Sequence, residues 1–157
     1  MNMRVLKKSR KLQKPGDIFV LQMRDDEYIF GRVIRLDAVI GKFENTILAY
    51  IYRASSRRKD AIPLLNRDEL LIPPLGVRRE PWIRGYFETL AHRPLTEDDV
   101  LTTHCFWSVA FRKYFDDEGH ELRARSEPCG IYALDCSETV DYAISKALGM
   151  PHEMDRS

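Results

Sequence analysis

Few residues in this 157-residue chain could carry catalytic chemistry. His104 and Cys105 stand side by side, with Cys129 and Cys136 downstream. Structural zinc sites use ligand pairs at C-x2–4-C or H-x3–5-H spacing. None of these residues makes such a pair, so no metal is expected. Cys105 with a histidine would be the minimal nucleophilic dyad. The alternation of residues 105–115, however, puts Cys105 on one apolar face with Trp107 and Val109, where a thiol stays protonated and inert. His92 and His120 flank turns, a place for hydrogen-bonding rather than general-base histidines. The chain has no glycine-rich phosphate loop, His-Glu-x-x-His or Gly-x-Ser-x-Gly motif. The expectation is a protein that is not an enzyme and needs no cofactor.

The remaining chemistry is that of charge. Arg57, Arg58 and Lys59 form a basic run after Arg53, with Tyr50 and Tyr52 just before it. Cations interleaved with aromatic rings are the means of binding single-stranded nucleic acid. One reading is therefore a small β-rich module that binds RNA or another polyanion through this run and the N-terminal arm. Acids gather at three places: Asp25–Glu27, Glu97–Asp99, and Asp116, Asp117 and Glu118 with Glu121. All fall in expected turns or at a helix start. Exposed acids there could meet a basic partner and steer its approach. Trp82, beside Pro81, is the candidate aromatic anchor for such a contact; the competing reading packs it under the Pro73–Pro74 loop.

The charge totals favour the acidic reading. Lys and Arg number 25 against 24 Asp and Glu, a formal net charge of +1. Six of the bases (Arg4, Lys7, Lys8, Arg10, Lys11 and Lys14) lie in residues 1–15, which hold no acid. The rest of the chain carries −5. Nucleic-acid binding is disfavoured by that sign. Residues 1–14 read as a flexible basic arm, 15–151 as one domain and 152–157 as a tail. No apolar stretch suits a signal peptide or a membrane span. Three sparse cysteines fit a reducing, cytoplasmic location.

The elements that must position these groups are mostly strands. Asp17–Met23 and Tyr28–Leu36 lie at hairpin spacing, and Gly31 marks a bulge or a close approach of another backbone. Ile47–Tyr52 is apolar at every position, as in a central strand covered on both faces. Pro73 and Pro74 are expected to stop helix and sheet alike, and Asn66 or Asp68 to cap one helical turn before them. Tyr86–His92 reads as a strand. Thr96 with Glu97, Asp98 and Asp99 reads as a short helix start. Cys105–Phe115 reads as one alternating strand, with Leu122–Arg125 returning after a turn and Gly130–Cys136 as one more. Val140, Ala143, Ile144, Ala147 and Leu148 form a helical stripe, with Ser137 as N-cap, Glu138 and Asp141 in the first turn and Gly149 as terminator. The expected class is α+β and mostly β: a twisted antiparallel sheet or partly open barrel with a C-terminal amphipathic helix packed on it.

Several blocks together resemble a known family. They are Gly16-Asp17-Ile18-Phe19, Phe30-Gly31-Arg32-Val33, Gly85-Tyr86-Phe87-Glu88-Thr89 and His92-Arg93-Pro94-Leu95-Thr96. His104-Cys105-Phe106, Glu127-Pro128-Cys129-Gly130 and Leu148-Gly149-Met150-Pro151 complete the set. This order resembles the immunity protein 26 family of bacterial polymorphic-toxin systems, over about Pro15–Pro151. The resemblance implies a mostly β fold and a non-enzymatic protein that binds a cognate toxin domain encoded by a neighbouring gene. It supplies no catalytic residues and leaves residues 1–14 unexplained.

Overall fold

The computed structural model describes residues 1–156; of the expected tail, residue 157 lies outside the described residues. In chain order the strands are β1 (Asp17–Gln22), β2 (Tyr28–Ile40), β3 (Phe43–Ser56), β4 (Leu70–Val77), β5 (Glu88–His92), β6 (Cys105–Ser108), β7 (Lys113–Phe115), β8 (Glu121–Leu122), β9 (Cys129–Ile131) and β10 (Leu134–Asp135). Helix α1 (Glu80–Ile83) is a single turn and α2 (Ser137–Leu148) is the long C-terminal helix. The strands make two sheets, ordered β10-β4-β3-β2-β1-β5 and β8-β7-β6-β9. Both are antiparallel apart from the β10–β4 and β6–β9 pairs. Neither closes into a barrel, since each order has two free ends. Among the described residues no helix is long and apolar enough to cross a membrane.

β3 lies inside the larger sheet and is covered on both sides, as its unbroken apolar run predicts. Ile47, Ala49 and Ile51 enter a core capped by Val140 and Ile144 of α2. Leu48, Tyr50 and Tyr52 enter a second core, against Phe106 and Tyr132 of the smaller sheet region. Two glycines allow close approaches. A side chain at Gly31 would meet the Phe19 ring at 2.3 Å, and one at Gly130 would meet the Pro74 carbonyl at 2.6 Å. The second contact brings β9 onto β4.

Several expectations are corrected. Pro73 and Pro74 do not end the sheet; β4 runs through them. They fall where the β3–β4 register shifts between Ala49 and Ile51, so no ladder N–H is missed. Asn66 caps no helical turn; its Oδ1 accepts the Asp68 N–H at 2.9 Å in a side-chain-closed turn. Residues 105–115 are not one strand but β6, a turn, and β7, with Arg112 at φ 55°. The turn leaves Val109 70% exposed, off the apolar face that alternation assigned to it. The strand expected over 130–136 is split because Tyr132 turns inward and stacks on Phe115, centroids 4.4 Å apart. The return strand after the 116–120 turn is only Glu121–Leu122.

The basic arm lies against the body instead of extending from it. Met3 is buried and bridges to Met23. Leu6 N–H donates to the Gly85 carbonyl at 2.8 Å and Ser9 N–H to the Trp82 carbonyl at 3.1 Å. Asp141, expected in the first turn of the helix, is buried and holds both chain ends. Its Oδ1 accepts the Asn2 and Met3 N–H groups at 2.9 and 2.6 Å, and its Oδ2 pairs with His152. The N-cap of α2 is Cys136 rather than Ser137. Ser137 N–H donates to Glu80 Oε1 at 2.8 Å, so a carboxylate from α1 meets the positive end of the helix.

Candidate functional site

Two of the three acidic clusters sit on one face of the larger sheet, and β2 holds both. Residues 32 and 35 should point to opposite faces of a regular strand. The register shift between Val33 and Arg35 removes that difference: Arg32 pairs with Tyr50 and Arg35 with Leu48, two residues of the same core. Each arginine binds one acid. Arg32, 5% exposed, meets Asp99 at 3.1 Å and donates to the Arg93 carbonyl at 2.7 Å. Asp99 Oδ2 in turn accepts the Thr96 N–H at 2.8 Å and so closes the 3-10 turn Glu97–Asp99. Burial would raise the Asp99 carboxyl pKa, but the Thr96 hydrogen bonds and the Arg32 charge outweigh it and hold it below its ordinary value.

Arg35 meets Asp117 at 2.9 Å and the exposed Asp37 at 2.8 Å. The other Asp117 oxygen faces His104 Nδ1 at 3.3 Å, and His104 Nε2 lies 2.6 Å from the Tyr50 hydroxyl. That hydroxyl also accepts the Leu101 N–H at 3.0 Å. Tyr50 therefore donates to Nε2, which leaves the Nδ1 proton for Asp117, an assignment made from the network. Burial opposes the Asp117 charge, yet the hydrogen bonds from His104 and Arg35 hold its pKa at about 2. Burial pushes the Tyr50 phenol up to about 12. The chain Asp117–His104–Tyr50 has the order of a charge relay, but its terminal hydroxyl is wholly enclosed in the core and ties the smaller sheet to the larger.

The eight residues expected to meet a partner separate into inner and outer groups. Asp99 and Asp117 are the inner acids just described. Asp116 organises its own loop, accepting the Glu118 and His120 N–H groups at 2.9 Å each. Glu97, Asp98, Glu118 and Glu121 are exposed, with Glu121 3.5 Å from Lys113. Trp82 leaves the set: it is 1% exposed and packs on Phe19 and Phe87, not under the proline loop. In the third acidic cluster, at the β1–β2 turn, Asp26 pairs with Arg4 and Glu27 with Arg57, while Asp25 accepts the Glu27 N–H at 3.1 Å.

The basic run is likewise matched by acids. Arg57 pairs with Glu27, Arg58 with Asp60, and Lys59 with Glu88 at 3.1 Å. Tyr50 and Tyr52 are buried and have no ring face to offer a base. His104 and Cys105 point away from one another, for Cys105 Sγ lies 3.3 Å from Cys129 Sγ in the other direction of the pleat. All three cysteines are free thiols, and burial pushes the Cys129 thiol up to about 12. Among the described residues no group of three His, Cys, Asp or Glu side chains is placed to hold a metal ion.

Sequence reasoning missed Arg32, Arg35 and His104 as the groups that assemble this face. The one available signal was an arginine inside an apolar strand, since a buried guanidinium requires a carboxylate. It also missed the exposed Val109 and Phe111.

The model of the Immunity protein 26 family matches residues 14–115. That span contains Arg32, Arg35, Asp99 and His104 and ends in β7, before Asp117 and α2. No curated protein and no solved structure matches the chain. With most of its length covered by that match, including β1–β6 and the arginines that assemble the acidic face, the chain belongs to the immunity protein 26 family.

Proposed function

We propose that the protein neutralises a cognate toxin domain by direct stoichiometric binding in the cytoplasm, without catalysis. Family membership carries this reading. The acidic face suggests how it would work. Arg32 and Arg35 hold the two loops from beneath through Asp99 and Asp117, so the loops need little ordering on binding. Glu97, Asp98, Glu118 and Glu121 then offer carboxylates to a basic toxin, where they raise the association rate more than the final affinity. Phe111, exposed in the β6–β7 turn, replaces Trp82 as the aromatic contact candidate.

The test is co-expression with the toxin domain encoded by the adjacent gene. Growth should be rescued and a complex should co-purify in fixed ratio. Reversing charge at Glu97, Asp98, Glu118 and Glu121 together should slow association about tenfold at low salt and flatten its salt dependence. Continued killing with no complex overturns the immunity reading for that pair. Rescue with an unchanged association rate removes the acidic face from the contact.

A further inference from the structure

A cavity of about 320 Å³ lies between the arm and strand β5. That is the lower end of the range of ligand cavities, roughly 300–1,000 Å³. β5 ends the strand order of the larger sheet, so one row of its backbone N–H and C=O groups faces away from β1. The whole of β5 lines the cavity, and Lys7, Lys11 and Lys14 line it from the arm. The acids on its wall are already engaged. Asp17 binds His92 at 2.9 Å and the Lys14 N–H at 2.9 Å, and Glu88 binds Lys59. Among the described residues no acid pairs with Lys7, Lys11 or Lys14.

Two further lining residues carry buried polar atoms without a hydrogen-bond partner, Gln13 Oε1 and Trp82 Nε1. Gln13 is 6% exposed. One atom is an acceptor and the other a donor, and native proteins leave few such atoms unpaired. A peptide group offers the matching N–H and C=O. An extended strand edge, a complementary donor–acceptor pair and three uncompensated lysines thus converge on one ligand chemistry.

The geometry points to a binding site for an acidic, extended peptide segment of a partner protein, added to the free edge of β5 with its carboxylates on Lys7, Lys11 and Lys14. Such strand addition takes affinity from the main chain and specificity from alternate side chains. The site is opposite in sign to the acidic face. It stands apart from the immunity reading, and its test requires no toxin.

The probe is an end-capped hexapeptide of alternating Glu and Val, titrated into a W107F variant in which Trp82 is the sole tryptophan. Saturable change in Trp82 emission is expected, with matching shifts of β5 backbone amides in the unsubstituted protein. Replacing Lys7, Lys11 and Lys14 together by Gln should weaken binding at least ~10-fold, as should raising salt. Methylating alternate peptide nitrogens should weaken it by about the same factor, because edge pairing uses the backbone. A Lys-Val counterpart should not bind. Absence of saturation by both readouts overturns the proposal. So does binding that survives the lysine substitutions or the methylation.

Discussion

The acidic face and the arm groove handle charge in opposite ways. On the face, each inner carboxylate has an arginine beneath it and at least one further donor; of the outer acids Glu121 pairs with Lys113, and Glu97, Asp98 and Glu118 have no ion pair among the described residues. In the groove the acids are consumed, and among the described residues the lysines have no acid partner and two buried polar atoms lack partners. The face also leaves one buried polar atom unpaired, Arg32 Nε, but its inner charges are paired, whereas among the described residues no acid pairs with the groove lysines. Paired inner charges give a stiff platform whose exposed charges act at long range. Unsatisfied groups give a pocket whose polar atoms gain by capturing something. Removing an inner acid should therefore cost stability, and removing a groove lysine should cost binding alone.

The largest expected effect follows from cutting the inner network. Asp117→Ala leaves Arg35 and a buried His104 without their shared carboxylate, and should cost about 3 kcal/mol in denaturant unfolding. Glu118→Ala, one residue on, should stay within ~0.5 kcal/mol. Equal costs for the two would erase the distinction between inner and outer acids.

Acid unfolding offers the next contrast. The Asp117 side chain is 15% exposed, and its pKa is about 2 in the folded chain against an ordinary 3.8. A depressed folded pKa means the unfolded state binds more protons in that interval. The stabilisation is therefore complete above the unfolded value and is lost as pH falls from about 4 towards 2. It amounts to about 2 kcal/mol. Asp117→Asn should flatten the stability profile over that window, measured by denaturant midpoints from pH 5 to 2. An unchanged slope would mean that Asp117 has no special environment.

The smallest effect belongs to the groove. Replacing Lys14 by Gln should move stability by no more than ~0.5 kcal/mol, because no native ion pair is lost. A larger loss would mean that the amine has a structural role there. The same substitution at Lys59, whose amine lies 3.1 Å from Glu88, gives the paired control.

Legibility in the sequence followed the range of each interaction. β3, the β1–β2 hairpin and α2 could be read because their signals are periodic and local. The α2 stripe was right for Val140 and Ile144 but ran too far, since Leu148 is exposed. The acid clusters were found as clusters, yet their division into inner and outer members was hidden. Asp99 and Asp117 look no different in sequence from Asp98 and Glu118. What separates them is an arginine dozens of residues away and a bulge that turns two arginines to one face. The burial of Trp82 has a similar cause: Phe19, one of the two rings it packs on, lies on β1, 63 residues away in the chain.

The basic arm shows where the division falls. Composition and charge order alone established a chain with six cations and no acid in residues 1–15 and an acidic remainder. The sequence also established a mostly β body with a two-sided central strand, because hydrophobic period and charge count need no partner to be read. Whether those cations wave in solvent or wall a groove was decided by Asp141, Gly85 and Trp82, which bind the arm through its backbone. Backbone N–H and C=O groups are the same in every residue, so composition carries no sign of where they will find their partners.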